Sequence, residues 1–223
     1  MGKIKNWSRR KFIQQATTTA MAAPFLLQSC TKKQTLNHGC IGVGGMMGLN
    51  DLQNFLSHEK VNIVAICDVD QNMLEKAAKL VPDARKYTDW RELLEKEANT
   101  IDSINVTVPD HNHFIIAYNA IQKGKHVYCQ KPMCHDVAEV RQLTKAAIDQ
   151  GVVTQLGTQH ASSANDRRAV KLIKDGAIGK VKHVYLCSNR PGAIERYRPA
   201  GPRPAKSQDP PANLNWDSWI GTA

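Results

Sequence analysis

The stretch Gly39-Cys40-Ile41-Gly42-Val43-Gly44-Gly45-Met46-Met47-Gly48 decides how this chain is read. Residues 40–43 are a short apolar run of the kind that becomes a buried strand, and a tight turn built on Gly42, Gly44 and Gly45 follows at once. Residues 50–59 then carry Leu52, Phe55 and Leu56 on one helical face. Strand, glycine turn and helix together let a backbone approach a phosphate closely, while the helix aims its unpaired amides and positive dipole end at the same point. In the spacing G-x-G-x-x-G the third glycine falls at Met47, and Gly48 stands one place late. The glycines alone are therefore an imperfect fingerprint, and the flanking sequence has to support it.

Working outward, Val-Asn-Ile-Val-Ala-Ile-Cys over 61–67 is a continuous apolar strand, and Asp68 stands at its end, 24 residues after Gly44. An acid there accepts a hydrogen bond from the ribose 2′-hydroxyl of NAD and repels the 2′-phosphate of NADP, so NAD is the expected cofactor, with Asp70 as the competing acid. Asp70 also reads as the cap of a helix that stops before Pro82. Further helices are expected over 89–97, 112–123 (closed by Gly124) and 136–149 (closed by Gly151). Strands are expected over 101–108, 126–129 and 152–156. Strands that are apolar throughout have both faces covered, and helices between them imply parallel crossovers. The count comes to about six strands. The expected fold is α/β, a Rossmann-type doubly wound parallel sheet over 39–158. It is followed over 159–223 by the beginning of an incomplete α+β second domain, with a helix at 166–175, a strand at 181–187, six prolines from Pro191 to Pro211, and Trp216 and Trp219 near the end.

The charge of +10 points toward nucleic acid, but its distribution does not. Residues 1–29 hold Lys3, Lys5, Arg9, Arg10 and Lys11 and no acid. Without them 25 basic residues face 20 acidic ones, scattered as on a solvated surface, and no nucleic-acid partner is expected. Ser8-Arg9-Arg10-Lys11-Phe12-Ile13, then a mildly apolar run, then Leu27-Gln28-Ser29-Cys30, resembles a twin-arginine export signal ending in a lipoprotein box. The expected organisation is thus an address at 1–30, a linker at 31–38 and the two domains. Cys30 would be the lipidated membrane attachment of an exported, periplasmic or membrane-anchored protein. Cys40, Cys67, Cys129 and Cys187 sit in strand-like apolar runs, where cysteine behaves as a small hydrophobe.

Ligands of an open parallel sheet sit beyond the carboxyl ends of its strands. The fourth strand ends Thr107-Val108-Pro109-Asp110-His111-Asn112-His113 and the fifth ends Cys129-Gln130-Lys131-Pro132. Thr107, Pro109, His113, Gln130 and Lys131 therefore join Gly42, Gly44, Gly45 and Asp68 as candidate cofactor-binding residues. Lys131 is also the candidate catalytic group, because an ammonium held at a cleft can polarise a hydroxyl or carbonyl. His111 and His113 lack an accompanying ligand cluster, and no metal site is expected.

With these segments quoted, the sequence resembles the Gfo/Idh/MocA oxidoreductases. IGVGGM, AICDVD, VTVPDHNH, GKHVYCQKP and VVTQLGTQ match in order, and LIKDGAIGKV and NWDSWIGTA match the start of that family's second domain. The resemblance implies hydride exchange between nicotinamide and a hydroxyl or keto group of a sugar or polyol, and a homo-oligomer at full length. It places Lys131 at the lysine of a Glu-Lys-Pro motif, with Gln130 in the glutamate's place. It adds Gln159, with His160, to the cleft, and it puts an acid/base histidine beyond residue 223. The alternatives are an NAD-dependent glycoside hydrolase or lyase that oxidises its sugar transiently, and a truncated chain that binds nucleotide without catalysis.

Overall fold

The apolar runs pair as one sheet of six parallel strands in the computed structural model, which describes residues 35–187 and 208–223. In chain order the elements are β1 (Leu36–Ile41), α1 (Gly45–Leu56), β2 (Val61–Cys67), α2 (Gln71–Ala78), β3 (Arg85–Tyr87), α3 (Trp90–Lys96) and β4 (Ser103–Val106). A 3-10 turn (Asp110–Asn112) leads into α4 (His113–Gln122), then β5 (His126–Gln130), α5 (Val137–Gln150) and β6 (Thr154–Gly157). A second 3-10 turn (Gln159–Ser162), α6 (Ala164–Lys174) and α7 (Trp216–Ile220) complete the described chain. The strand order β3-β2-β1-β4-β5-β6 is that of a doubly wound dinucleotide domain, reversing direction between β1 and β4.

Alternation along each strand divides the core between the two faces of the sheet. Cys40 and Ile66 join Val43, Ile63, Leu52 of α1 and Leu74 of α2 on one side. Their chain neighbours Ile41 and Cys67 join Val106, Leu93 of α3, Ile116 of α4 and Leu143 of α5 on the other. Short polar side chains start the helices: Asp70 accepts from the Asn72 and Met73 amides, Asp89 from Arg91, Asp136 from Ala138 and Ser163 from Asp166. Gly151 ends α5 in the left-handed conformation at φ 63°. The short edge strand β3 is fastened by Arg85, whose guanidinium grips the buried Glu97 carboxylate, while the Tyr87 hydroxyl donates to the same group. Among the described residues no helix is long and apolar enough to cross a membrane.

Two expectations change. No strand forms over 181–187: Val184, Tyr185 and Leu186 are exposed and have no strand to pair with among the described residues, so apolar content alone does not make a ladder there. Cys187, expected to be strand-buried, is exposed, whereas Cys40, Cys67, Cys129 and Cys134 are buried free thiols. Burial raises the pKa of all four, that of Cys129 to about 12 and that of Cys134 to about 11. Near the end of the chain Trp219 packs edge-on against His111 of the dinucleotide domain, ring centroids 5.8 Å apart. The expected export signal and Cys30 lie outside the described residues, as does most of the proline-rich segment.

Candidate dinucleotide site

A cleft of about 550 Å³ opens at the carboxyl ends of β1, β2, β4 and β5. The turn between β1 and α1 forms its centre. Gly42 has φ 82°, and a Cβ there would lie 2.1 Å from the Thr107 carbonyl oxygen, so the crossing of this turn over the end of β4 admits only glycine. The displaced third glycine is explained by the same geometry. A Cβ at Gly48 would come within 2.6 Å of Gly42 O and 2.8 Å of the Val43 carbonyl carbon. Gly48, not Met47, lets α1 pack onto the turn. No side chain caps α1 and no acid lies in its first turn, in contrast to α3 and α5.

Asp68 lies against this turn. Its Oδ2 accepts from Gly44 N at 2.7 Å and Val43 N at 3.0 Å, and its Oδ1 accepts from Asp70 N at 2.9 Å. Burial raises its pKa, and the three amides draw it partly back. A carboxylate has about four lone-pair positions, so one acceptor position remains for a hydroxyl beside the turn. Asp70, the competing acid, is committed to capping α2 and to the Asn213 side chain.

The remaining wall comes from the ends of β4 and β5. Thr107, Pro109, His113, Gln130 and Lys131 all line the cleft together with Gly42, Gly44, Gly45 and Asp68. His113 is buried, and both ring nitrogens face backbone carbonyls, Nδ1 that of Pro132 at 2.5 Å and Nε2 that of Val108 at 2.9 Å. It ties the Lys131-Pro132 loop to the end of β4 and has no ring nitrogen left for a ligand. The Gln130 side chain is likewise buried and donates to Asp51 Oδ2 at 2.8 Å, and among the described residues exposed Lys131 presents its ammonium at this end. Gln159 is the expectation that the structure does not bring in. It lies beyond β6, the outer strand, where its side chain bonds Tyr128, and it is absent from the cleft lining.

Two features went unread in the sequence. Buried Asp51 is one, since a lone acid within a helical segment reads as surface. The other is the strap over 213–222. Asn213 O accepts from Gln71 N and Val69 O from Asn215 N. On the opposite side Trp219 O accepts from His111 Nε2 and Asn112 Nδ2, and Thr222 Oγ1 donates to His111 O. The strap thus bridges the turns after β2 and β4, and Leu214, Ser218 and Trp219 enter the cleft wall. Trp216 and Trp219 stack at 5.1 Å and 6°.

A free helix start behind a glycine turn, with an acid at the end of the second strand, defines a dinucleotide-binding domain. Residues 36–158, more than half of the chain, match the Gfo/Idh/MocA family, described as an oxidoreductase family with an NAD-binding Rossmann fold, and the chain belongs to it. It is 26% identical over 156 residues to a levoglucosan dehydrogenase of Pseudarthrobacter phenanthrenivorans, covering 66% of this chain and 39% of the relative. It is 31% identical over 161 residues to a glycosyl hydrolase family 109 protein of Saccharopolyspora erythraea, covering 66% and 34%. The crystal structure of myo-inositol 2-dehydrogenase from Lactobacillus plantarum superposes with a TM-score of 0.62 at 27% identity, covering 66% of this chain and 43% of that one. The chain spans less than half the length of each.

Proposed function

We propose that this chain supplies the NAD-binding domain of an oxidoreductase that moves a hydride between nicotinamide and a hydroxyl or keto carbon of a sugar or polyol. The observation that carries the reading is the meeting of the glycine turn, Asp68 and Lys131 in one cleft. The glycine turn and the start of α1 would hold the pyrophosphate, and the open acceptor position of Asp68 would take a ribose hydroxyl, which disfavours a 2′-phosphate. NAD supplies the hydride acceptor or donor. Lys131 polarises the reacting oxygen at the other end of the cleft, and His113 and Asp51 fix the loop that presents it. The names of the levoglucosan and inositol dehydrogenase relatives support a cyclic polyhydroxylated substrate. Turnover is proposed for this domain acting together with a substrate-binding domain that brings the acid/base histidine.

The family 109 relative supports a second reading, glycoside cleavage through transient oxidation. Incubating the enzyme with NAD and either inositol or an aryl glycoside separates the two: net NADH formation supports the dehydrogenase, and glycoside cleavage without net NADH supports the hydrolase. We further propose twin-arginine export, with lipidation at Cys30, on the strength of the order of features in residues 1–30. Fusing these residues to a folded reporter tests it: replacing Arg9 and Arg10 by lysine should abolish export.

A further inference from the structure

A line of side chains crosses the sheet behind the cleft and ends on a buried carboxylate. Ser103 Oγ lies 2.8 Å from His38 Nδ1, and His38 Nε2 lies 3.2 Å from Asn105 Oδ1. Asn105 Nδ2 donates to Thr107 Oγ1 at 2.9 Å, and Thr107 Oγ1 donates to Asp51 Oδ2 at 2.8 Å. Gln130 Nε2 donates to the same oxygen at 2.8 Å from β5. Asn105 Oδ1 can only accept, so His38 Nε2 donates to it and Ser103 then donates to Nδ1. Every donor in the line points toward Asp51. His38, Asp51, Asn105 and Gln130 are all buried, Asp51 to 3% exposure.

Asp51 does not itself line the cleft, but the two residues it grips, Thr107 and Gln130, form its floor between β4 and β5. We propose that Asp51 is a positioning residue that also biases this floor toward the oxidised cofactor through its buried negative charge. The proposal rests on the NAD reading above. The glycine turn and Asp68 assign the pyrophosphate and one ribose to the β1–β2 side, so the other end of a dinucleotide runs toward β4 and β5. NAD+ differs from NADH there by one positive charge on the nicotinamide ring. A carboxylate buried behind an uncharged floor is poorly screened and favours that charge. Because Thr107 and Gln130 are held by one oxygen, the same group fixes the two strand ends relative to each other.

The test measures the dissociation constants of NAD+ and NADH for the full chain, for Asp51→Asn and for the exchanged pair Asp51→Asn with Gln130→Glu. The single variant should lower the preference for NAD+ over NADH by about five-fold or more. The exchanged pair keeps a donor facing an acceptor and returns the charge to the other side of the same hydrogen bond, so it should restore the preference to within about two-fold. If the single variant fails to fold, the exchanged pair decides, because loss of the preference there also overturns the proposal. Equal changes for both redox forms in Asp51→Asn, or no change, would overturn it while leaving the NAD reading intact. A wild-type chain that binds neither form would overturn both.

Discussion

Asp68 Oδ2 accepts the Gly44 amide at 2.7 Å, so the acid at the end of the second strand and the glycine turn after the first are one unit. The carboxylate orders the turn and keeps an acceptor position beside it. Asp68→Ala removes both. Hydrogen bonds to a charged group contribute about 1.5–3 kcal/mol, so NAD affinity should fall roughly ten- to a hundred-fold, with NADP losing less. Calorimetric titration of both nucleotides checks this; an equal loss for the two would deny Asp68 its role in discrimination.

The turn also makes a prediction about stability. Gly48→Ala drives a methyl into the Gly42 and Val43 backbone, which cannot rotate away as a side chain could. A cost of about 2 kcal/mol or more is expected. At Gly45 nothing lies within 4 Å of an added Cβ, and only its φ of 63° opposes substitution, so Gly45→Ala should cost about 1 kcal/mol. Urea unfolding of the pair checks the ranking, and the reverse order would refute the packing role given to Gly48.

The strap over 213–222 closes on Asn112, whose Nδ2 donates to Trp219 O at 3.0 Å, while a Cβ at Gly221 would fall 2.0 Å from Asn112 Oδ1. Asn112→Ala should loosen the strap by about 1 kcal/mol and speed release of bound NAD roughly five-fold. Stopped-flow displacement measures the release rate. An unchanged rate would make the strap a packing element without a part in retention.

Acid sensitivity follows from His38. Burial lowers its pKa from 6.5 to about 4, against a smaller opposing effect from its bond to Asn105. Above 6.5 the ring is neutral in both folded and unfolded chains. As pH falls from 6.5 toward about 4 the unfolded chain takes up a proton that the folded one refuses, and stability drops by up to about 3 kcal/mol. Glu97 is lowered, chiefly by its hydrogen bond from Arg85, so its contribution is present above 4.5 and lost only as pH falls further. Melting temperatures between pH 7 and 5 should therefore fall in the parent and fall less in His38→Gln.

The strands, the helix caps and most of the cleft were legible because each rests on local pattern: continuous apolar runs at 61–67, Asp70 and Asp136 ahead of helices, glycines at fixed offsets from a strand. Gln159 stands outside the cleft lining and bonds Tyr128, because it follows β6, the outermost strand of the sheet. Asp51 was missed because its burial depends on Thr107 and Gln130, 56 and 79 residues away. The strap was missed for the same reason, since Trp219 meets Asn112 across 107 residues. The apolar run at 181–187 shows the converse: local pattern without a partner strand yields no strand.

On the proposed function, the cleft between the glycine turn and Lys131 is an NAD site. Trp90 and Trp219 line it, so nucleotide binding can be followed by tryptophan fluorescence of the chain itself. Titration should give a saturable one-site change with NAD at least about ten-fold tighter than NADP, the discrimination expected of a carboxylate facing the 2′ position. No saturable change with either nucleotide, or tighter binding of NADP, would contradict it.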